Sequence, residues 1–293
     1  MKFFFKSGIY WCYQFGVRCN IHPKGVEELS RLLNAYFTDL IGLIDAHGGL
    51  VMKFAGDALM AVWPAATDTL AETAHRAAQC ALSIQREMHA RHVAADVTLS
   101  MRVSLGAGEV RHLVLGGVGE RWASRLAGPA MNDARGAIAL AEPGGVALAP
   151  GVVRLLGVGT KVTVLARGGA RLDAVAPLAM RPPLPSAEPH NVTALFPHVP
   201  AAVRDRIVAG QAGWLAEFRR VSVLFINVPE VDDDPARSLA RAQAAVRAIQ
   251  TVLVRYEGTV DNLGDDHTGL TLVAALGAKY YISPLYAYNL GCN

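Results

Sequence analysis

The chain has 293 residues, a formal charge of +3, 52% hydrophobic residues and 18% charged ones. That composition excludes a disordered chain, and the length fits two domains of ordinary size, each able to bury a core. No apolar run of about 18 residues is free of charge, which excludes a membrane-spanning helix. The arginines are scattered among Ala, Asp and Glu without a basic, aromatic-interleaved tract, so nucleic acid is not an expected partner.

The first 25 residues stand apart. Phe3, Phe4, Phe5, Tyr10, Trp11, Tyr13 and Phe15 crowd there beside Lys2 and Lys6, whereas the interior is built of Ala, Gly, Arg, Val and Leu. Tyr280, Tyr281, Tyr286 and Tyr288 mark a similar break at 278–293. Both ends read as atypical segments, either from a different coding context through a start or frame error, truncation or recombination, or as unusual native termini. Lys6, Ser7 and Gly8 interrupt the first apolar run, so it does not read as a secretory signal. Cys12, Cys19, Cys80 and Cys292 have neither CxxC nor Cys/His zinc spacing and read as reduced thiols of a cytoplasmic protein.

From Val26 to Ala46, Leu29, Leu32, Leu33, Tyr36, Phe37, Leu40, Leu43 and Ile44 recur at three and four, which predicts an amphipathic helix ended by His47-Gly48-Gly49. Leu50 to Phe54 and Ala58 to Trp63 flank Ala55-Gly56-Asp57 and predict a β-hairpin. A second helix is expected over 71–91. A strand follows over 99–105, then Gly106-Ala-Gly108, then one or two further strands to Val118. Another helix is expected over 130–141 and a strand over 146–149. Helices alternating with strands on one sheet make an α/β fold, an α+β sandwich.

Prolines crowd the stretch after Ala176, and 176–218 reads as a linker. Val221 to Ile226 is a near-continuous apolar run, the pattern of a central strand buried on both faces. A helix over 234–256 and a hairpin of Thr259 to Leu263 with Leu270 to Leu276 come next. Laying Tyr256-Glu257-Gly258 on His47-Gly48-Gly49 aligns helix with helix and hairpin with hairpin at one constant offset. A duplicated domain is expected, with the second copy truncated. The first copy has no recognisable opening strand.

The segment Val51-Met-Lys53-Phe-Ala-Gly56-Asp57-Ala-Leu-Met-Ala-Val-Trp63, with Gly48-Gly49 before it, resembles the metal-binding hairpin of class III nucleotidyl cyclases, most of all those of the soluble, bicarbonate-responsive adenylyl cyclase type. Ser104-Leu-Gly106-Ala-Gly108-Glu-Val110, Leu126-Ala-Gly128-Pro-Ala-Met-Asn132-Asp-Ala-Arg135 and Glu217-Phe-Arg219-Arg220-Val-Ser-Val-Leu-Phe-Ile-Asn227 extend the likeness in the right order. The resemblance implies a ferredoxin-like cyclase domain at 26–175 and a partial second one at 219–277. It also implies a signalling enzyme in which the ribose 3′-hydroxyl of ATP attacks the α-phosphate, giving cyclic AMP and pyrophosphate.

Two Mg²⁺ or Mn²⁺ ions bridged by two carboxylates are implied with it. Asp57 matches the second carboxylate, although Gly-Asp at a hairpin is also ordinary turn chemistry. The first should close the opening strand, yet the chain has no Asp or Glu before Glu27. Lys53 and Arg135 match the cations around bicarbonate in this type; the competing reading is a solvent-facing Lys53 and an Arg135 paired with an acid such as Asp133. Gly56 and Asn262 match nucleotide-side positions, Asn262 standing where the family places a purine-contacting lysine, so GTP competes with ATP as substrate. No catalytic residue for the transition state can be named, because the matching part of the second domain is missing. Another cyclase domain, in trans or in a homodimer, is the implied partner. The alternative is a catalytically silent cyclase-homology module that binds a partner. Asp265-Asp266-His267 reads as a solvated hairpin tip, the glycine pairs match no P-loop, and the histidines match no HExxH.

Overall fold

The computed structural model describes residues 3–17, 25–55, 58–65, 68–94, 97–119, 121–165, 168–178, 208, 222–229, 235–266 and 269–276. Most of the expected linker and the whole of 278–293 lie outside them. The chain divides into a larger unit, Phe4–Arg111 with Gly128–Ser186, and a smaller one, built of His112–Ala127 and Ala187–Asn293 together with Met1–Phe3.

In the larger unit, α1 (Gly25–Ala46) buries Tyr36, Leu40 and Ile44, one residue per turn. Strands β2 (Leu50–Ala55) and β3 (Ala58–Pro64) form the expected hairpin, and α2 (Leu70–Met88) follows. Thr69 and Glu72 close a reciprocal capping box at the start of α2, satisfying two amides that the first turn leaves orphaned. The buried face of α2 is largely alanine, with Ala74, Ala77, Ala78 and Ala81 leading to Ile84 and Met88. Small residues let the helix lie close to the sheet, and the Tyr36 hydroxyl donates to the Met88 carbonyl at 3.2 Å, pinning α1 to the end of α2. Each large apolar side chain removed from water here contributes about 1.5–3 kcal/mol.

The expectation of a domain without an opening strand is corrected. Strand β1 (Phe3–Val17) pairs antiparallel with β3, from Gly8↔Pro64 to Cys12↔Met60, and lies between β3 and β5 (Val97–Val118). What it lacks is an acid, since FFFKSGIYWCYQFGV carries no Asp or Glu. The strand order is β2-β3-β1-β5-β7-β9-β8, with β7 (Val146–Leu148), β8 (Lys161–Val164) and β9 (Ala170–Ala174); β4 (Arg91–Ala94) and β6 (Arg121–Ala127) pair with β5 off that path. Residues 150–174, for which the sequence pattern gives no element, form α4 (Pro150–Leu156) and the β8–β9 hairpin, anchored by Val152, Leu156 and Leu172.

The break expected at Gly106 and Gly108 does not occur, because β5 runs straight through both. The glycines serve a close approach. A Cβ on Gly106 would collide with the Ala130 carbonyl of α3 (Pro129–Ile138), and the buried Ser104 hydroxyl donates to the Ala134 carbonyl at 2.8 Å. Helix and strand backbones touch there, which no residue with a side chain would allow.

In the smaller unit, β10 (Ser222–Pro229), β11 (Thr259–Asp266) and β12 (Gly269–Leu276) form a sheet in the order β10-β12-β11, joined by α5 (Pro235–Arg255). Its core holds Leu115, Ala242, Val246, Leu263, Leu270 and Leu272. The prediction that Val221 to Ile226 is a strand buried on both faces is overturned. Among the described residues β10 is an edge strand, with Phe225 63% and Leu224 40% exposed.

Candidate functional site

The hairpin that carries the cyclase-like motif is positioned by the end of α1. Gly48 takes φ +75°, the Gly49 amide reaches back to the Ile44 carbonyl at 2.9 Å, and the Trp63 indole donates to the His47 carbonyl at 3.0 Å. A Cβ on Gly49 would lie 2.5 Å from the Trp63 ring. Helix end and hairpin are thereby locked together, and β2 leaves in one direction only. Its register against β3 slips between Val51 and Lys53, leaving Met52 as a bulge. Lys53 follows that bulge, opposite Met60 and half-buried. Gly56 and Asp57 lie outside the described residues.

The second hairpin repeats the helix end and the bulge of the first, but its arms reach further before the turn. Asn262 pairs with Val273 where Lys53 pairs with Met60, so the constant offset expected from the sequence does not hold past the turn. Glu257 takes φ +53°, the Gly258 amide reaches the Leu253 carbonyl at 2.8 Å, and a Cβ on Gly258 would meet Leu276 at 2.5 Å. The β11–β12 register slips between Val260 and Asn262, so Asn262 follows its bulge as Lys53 follows the first. β10 pairs antiparallel with β12 as β1 does with β3.

Arg135 sits on the last turn of α3, half-buried, and donates to Asn132 Oδ1 at 3.3 Å. Its helix packs on β5, whereas Lys53 is on β2, and β3 and β1 intervene in the strand order. The only thiol among the described helices, that of Cys80, is buried in the core and its pKa is pushed up by desolvation, which makes it inert filler.

The comparisons with known proteins decide the family. The model of the adenylate and guanylate cyclase catalytic domain matches residues 14–179, more than half of the chain. The chain belongs to that family. It is similar to adenylate cyclase type 10 of Rattus norvegicus, 24% identical over 288 residues that take in 87% of this chain and 18% of that protein, and to the type 10 enzyme of Homo sapiens at 24% over 289 residues with the same shares. It therefore spans under a fifth of the length of these relatives. Among solved structures, the guanylate cyclase domain of RhGC from Catenaria anguillulae in complex with GTP matches at TM-score 0.50 and 17% identity, covering 59% of this chain and 99% of that one. The dimeric guanylyl cyclase domain of the RhoGC fusion protein from Blastocladiella emersonii matches at 0.50 and 16%, covering 60% and 98%. These two likenesses carry the cyclase fold.

The two-ion site that the family implies asks for two carboxylates, and Asp57, the matching one, lies outside the described residues. β1 lies where a first carboxylate would be offered, beside β3 and its hairpin, and offers none. Among the described residues no cluster of three His, Cys, Asp or Glu side chains could hold a metal. A hard, octahedral ion needs more oxygen ligands than Asp57 alone supplies. Also among the described residues, no helix is long and apolar enough to cross a membrane. The sequence reading missed β1 although Ile9, Trp11, Tyr13 and Phe15 alternate in it with period two, a strand signal masked by the Tyr10 and Cys12 between them.

Proposed function

We propose that the chain is an adenylyl cyclase module of the soluble type, one catalytic domain and part of a second, in which conversion of ATP to cyclic AMP and pyrophosphate is impaired. The observation that carries this reading is the acid-free β1 in the place beside the motif hairpin. The reaction class is intramolecular: the ribose 3′-oxygen bonds to the α-phosphorus, its proton leaves, and the bond to pyrophosphate breaks. Asp57 is the one carboxylate in a matching position. GTP is the second nucleotide to consider, since one structural relative holds GTP and Asn262 replaces the expected lysine. Lys53 and Arg135 are read as cations toward bicarbonate. The partner is another cyclase domain, in trans or as a second copy, and the compartment is the cytoplasm. The same missing acid favours a second reading, a silent cyclase-homology module that binds a partner.

The test is conversion of ATP and of GTP by the purified chain in Mg²⁺ and then Mn²⁺, alongside Asp57→Asn and Gln14→Asp. Gln14 lies two residues beyond Cys12 on β1, toward the turn that Ala55 and Ala58 close. The expected result is trace product from the unaltered chain, a gain in Gln14→Asp, and loss of that gain when Asp57→Asn is added. Product that is indifferent to Asp57→Asn overturns the role of Asp57. A folded chain inactive in every variant selects the silent module.

A further inference from the structure

The outward face of α5 is fixed by what its inward face holds. Val246 and Leu253 are buried, the Gly116 amide donates to Gln243 Oε1 at 2.9 Å, and the Val118 amide donates to Gln250 Oε1 at 3.3 Å. At about 100° per residue, Arg241, Ala244, Ala248, Thr251, Val252 and Arg255 fall together on the opposite side, and all of them are exposed. Arg247 stands at the margin of the same face, also exposed. The helix, PARSLARAQAAVRAIQTVLVR, contains no Asp or Glu. The nearest acids along the chain, Asp234 before it and Glu257 after it, lie beyond its ends.

The fold does not require such a face at this position. α1, which stands in the same place before the first hairpin, carries Glu27, Glu28, Asp39 and Asp45 against Arg31 alone. An arginine in a last turn, as Arg255 is, answers the helix dipole. Arg241 and Arg247 are further in, where the dipole gives them no role. From Arg241 to Arg255 the basic ridge runs roughly 21 Å, and Ala244 and Ala248 between them are too short to shield a guanidinium group. At the far end Val252 is 54% exposed and Tyr256, one turn on, is 68% exposed.

We propose that this face of α5 docks on a bilayer surface rich in anionic phospholipid. Arg241, Arg247 and Arg255 meet the lipid phosphates, and Val252 and Tyr256 enter the headgroup layer. A guanidinium can give a phosphate two N–H donors at once, and a tyrosine suits a boundary where one end is apolar and the other wet. The helix lies along the surface and does not cross it, since its other face stays packed on the protein. A nucleic acid could engage the same arginines but would leave Val252 in water. Each arginine near an anionic surface is worth roughly fivefold in partitioning, so three give roughly a hundredfold over a neutral bilayer. The proposal is independent of whether the chain makes cyclic AMP.

The experiment is co-sedimentation of the full chain with vesicles of phosphatidylcholine, and with vesicles in which a third of that lipid is replaced by phosphatidylserine, at low and then high salt. The expected result is partitioning roughly a hundredfold stronger on the anionic vesicles, most of it lost at high salt. Arg241→Gln with Arg255→Gln should weaken it roughly 25-fold, whereas Arg241→Lys with Arg255→Lys, which keeps the charge, should retain most of it. Tyr256→Ser should lower binding at either salt. Arg86→Gln with Arg154→Gln removes the same charge from exposed positions of the larger unit and should leave binding nearly unchanged. An equal loss in that control overturns the proposal, because net charge alone would then attract the chain. So does equal binding to neutral vesicles, or no sedimentation with either kind. Retention of an RNA duplex in place of the vesicles also overturns it and makes the partner a nucleic acid.

Discussion

Strands β1 and β10 open the two βαββ runs of the chain, and both pair antiparallel with the second strand of the hairpin that follows. Their fates differ. β1, with Lys6, Gln14 and two tyrosines in it, lies inside the sheet between β3 and β5, whereas β10, which reads Ser-Val-Leu-Phe-Ile-Asn-Val-Pro, lies at an edge among the described residues with Leu224 and Phe225 exposed. Apolar content alone would not tell them apart, since ten of fifteen residues of β1 and five of eight of β10 are hydrophobic. Whether a strand is central depends on what pairs with its far side, and that information lies many residues away in sequence. In the larger unit β5 supplies the second neighbour; among the described residues of the smaller unit nothing does.

If the two hairpins are built alike, equivalent changes should act alike but on separate units. Trp63→Ala should cost about 3–5 kcal/mol, as a fully buried ring is lost along with its bond to His47. Leu276→Ala, at the matching but less buried position, should cost about 2 kcal/mol. Exchange mapping should show the first loosening β2–β3 and the second β11–β12; loosening of both hairpins by either change would break the comparison. Gly49→Ala and Gly258→Ala should each cost about 1–3 kcal/mol by overpacking, against Trp63 and Leu276 respectively. Denaturant midpoints of the two variants would check that parity.

The helix ends give a sign difference. Gly48 adopts the left-handed conformation without a Cβ to obstruct it, and Glu257 adopts it with one. Glu257→Gly should therefore stabilise the smaller unit by about 1 kcal/mol, the strain of a left-handed residue less the entropy that glycine adds to the unfolded chain. A destabilised Glu257→Gly chain would show that the Glu257 side chain has a role of its own.

The smallest effect belongs to a feature without counterpart among the described residues of the second run. Asp173 accepts from the Thr163 hydroxyl at 2.7 Å and from Arg171 at 2.8 Å, and these bonds hold its carboxyl below the ordinary carboxylate range. A depressed folded pKa contributes stability above the unfolded value, and that contribution fades as pH falls through the folded one. Asp173→Asn should thus slightly destabilise the protein at neutral pH and leave it unchanged in strong acid. Because the group is exposed, the shift in the acid-unfolding midpoint should be slight.

Much of this was legible in the sequence because it is local. Gly48-Gly49, the period-four stripe from Tyr36 to Ile44 and the apolar flanks of Ala55-Gly56-Asp57 each specify an element within a dozen residues. α4 and β8 escaped because each has too few residues to show a period. At the site, the motif identified the family but not the geometry. Lys53 and Arg135 are linked by resemblance alone, Lys53 on β2 and Arg135 on the helix that packs on β5. Gln243 and Gln250 gave one unused signal: they interrupt the apolar stripe of Leu239, Ala242, Val246 and Leu253 on α5, and a polar residue inside such a stripe needs a buried partner.

The smaller unit is discontinuous in sequence, and this bears on the order of events as the chain is made. Gly116 and the glutamine that satisfies it are 127 residues apart. The β5–β6 hairpin leaves the ribosome long before α5 exists, and its apolar Leu113 and Leu115 face water until then. Contacts so distant close slowly, so that hairpin must wait for α5, and the interval before its capture exposes a newly made chain to aggregation.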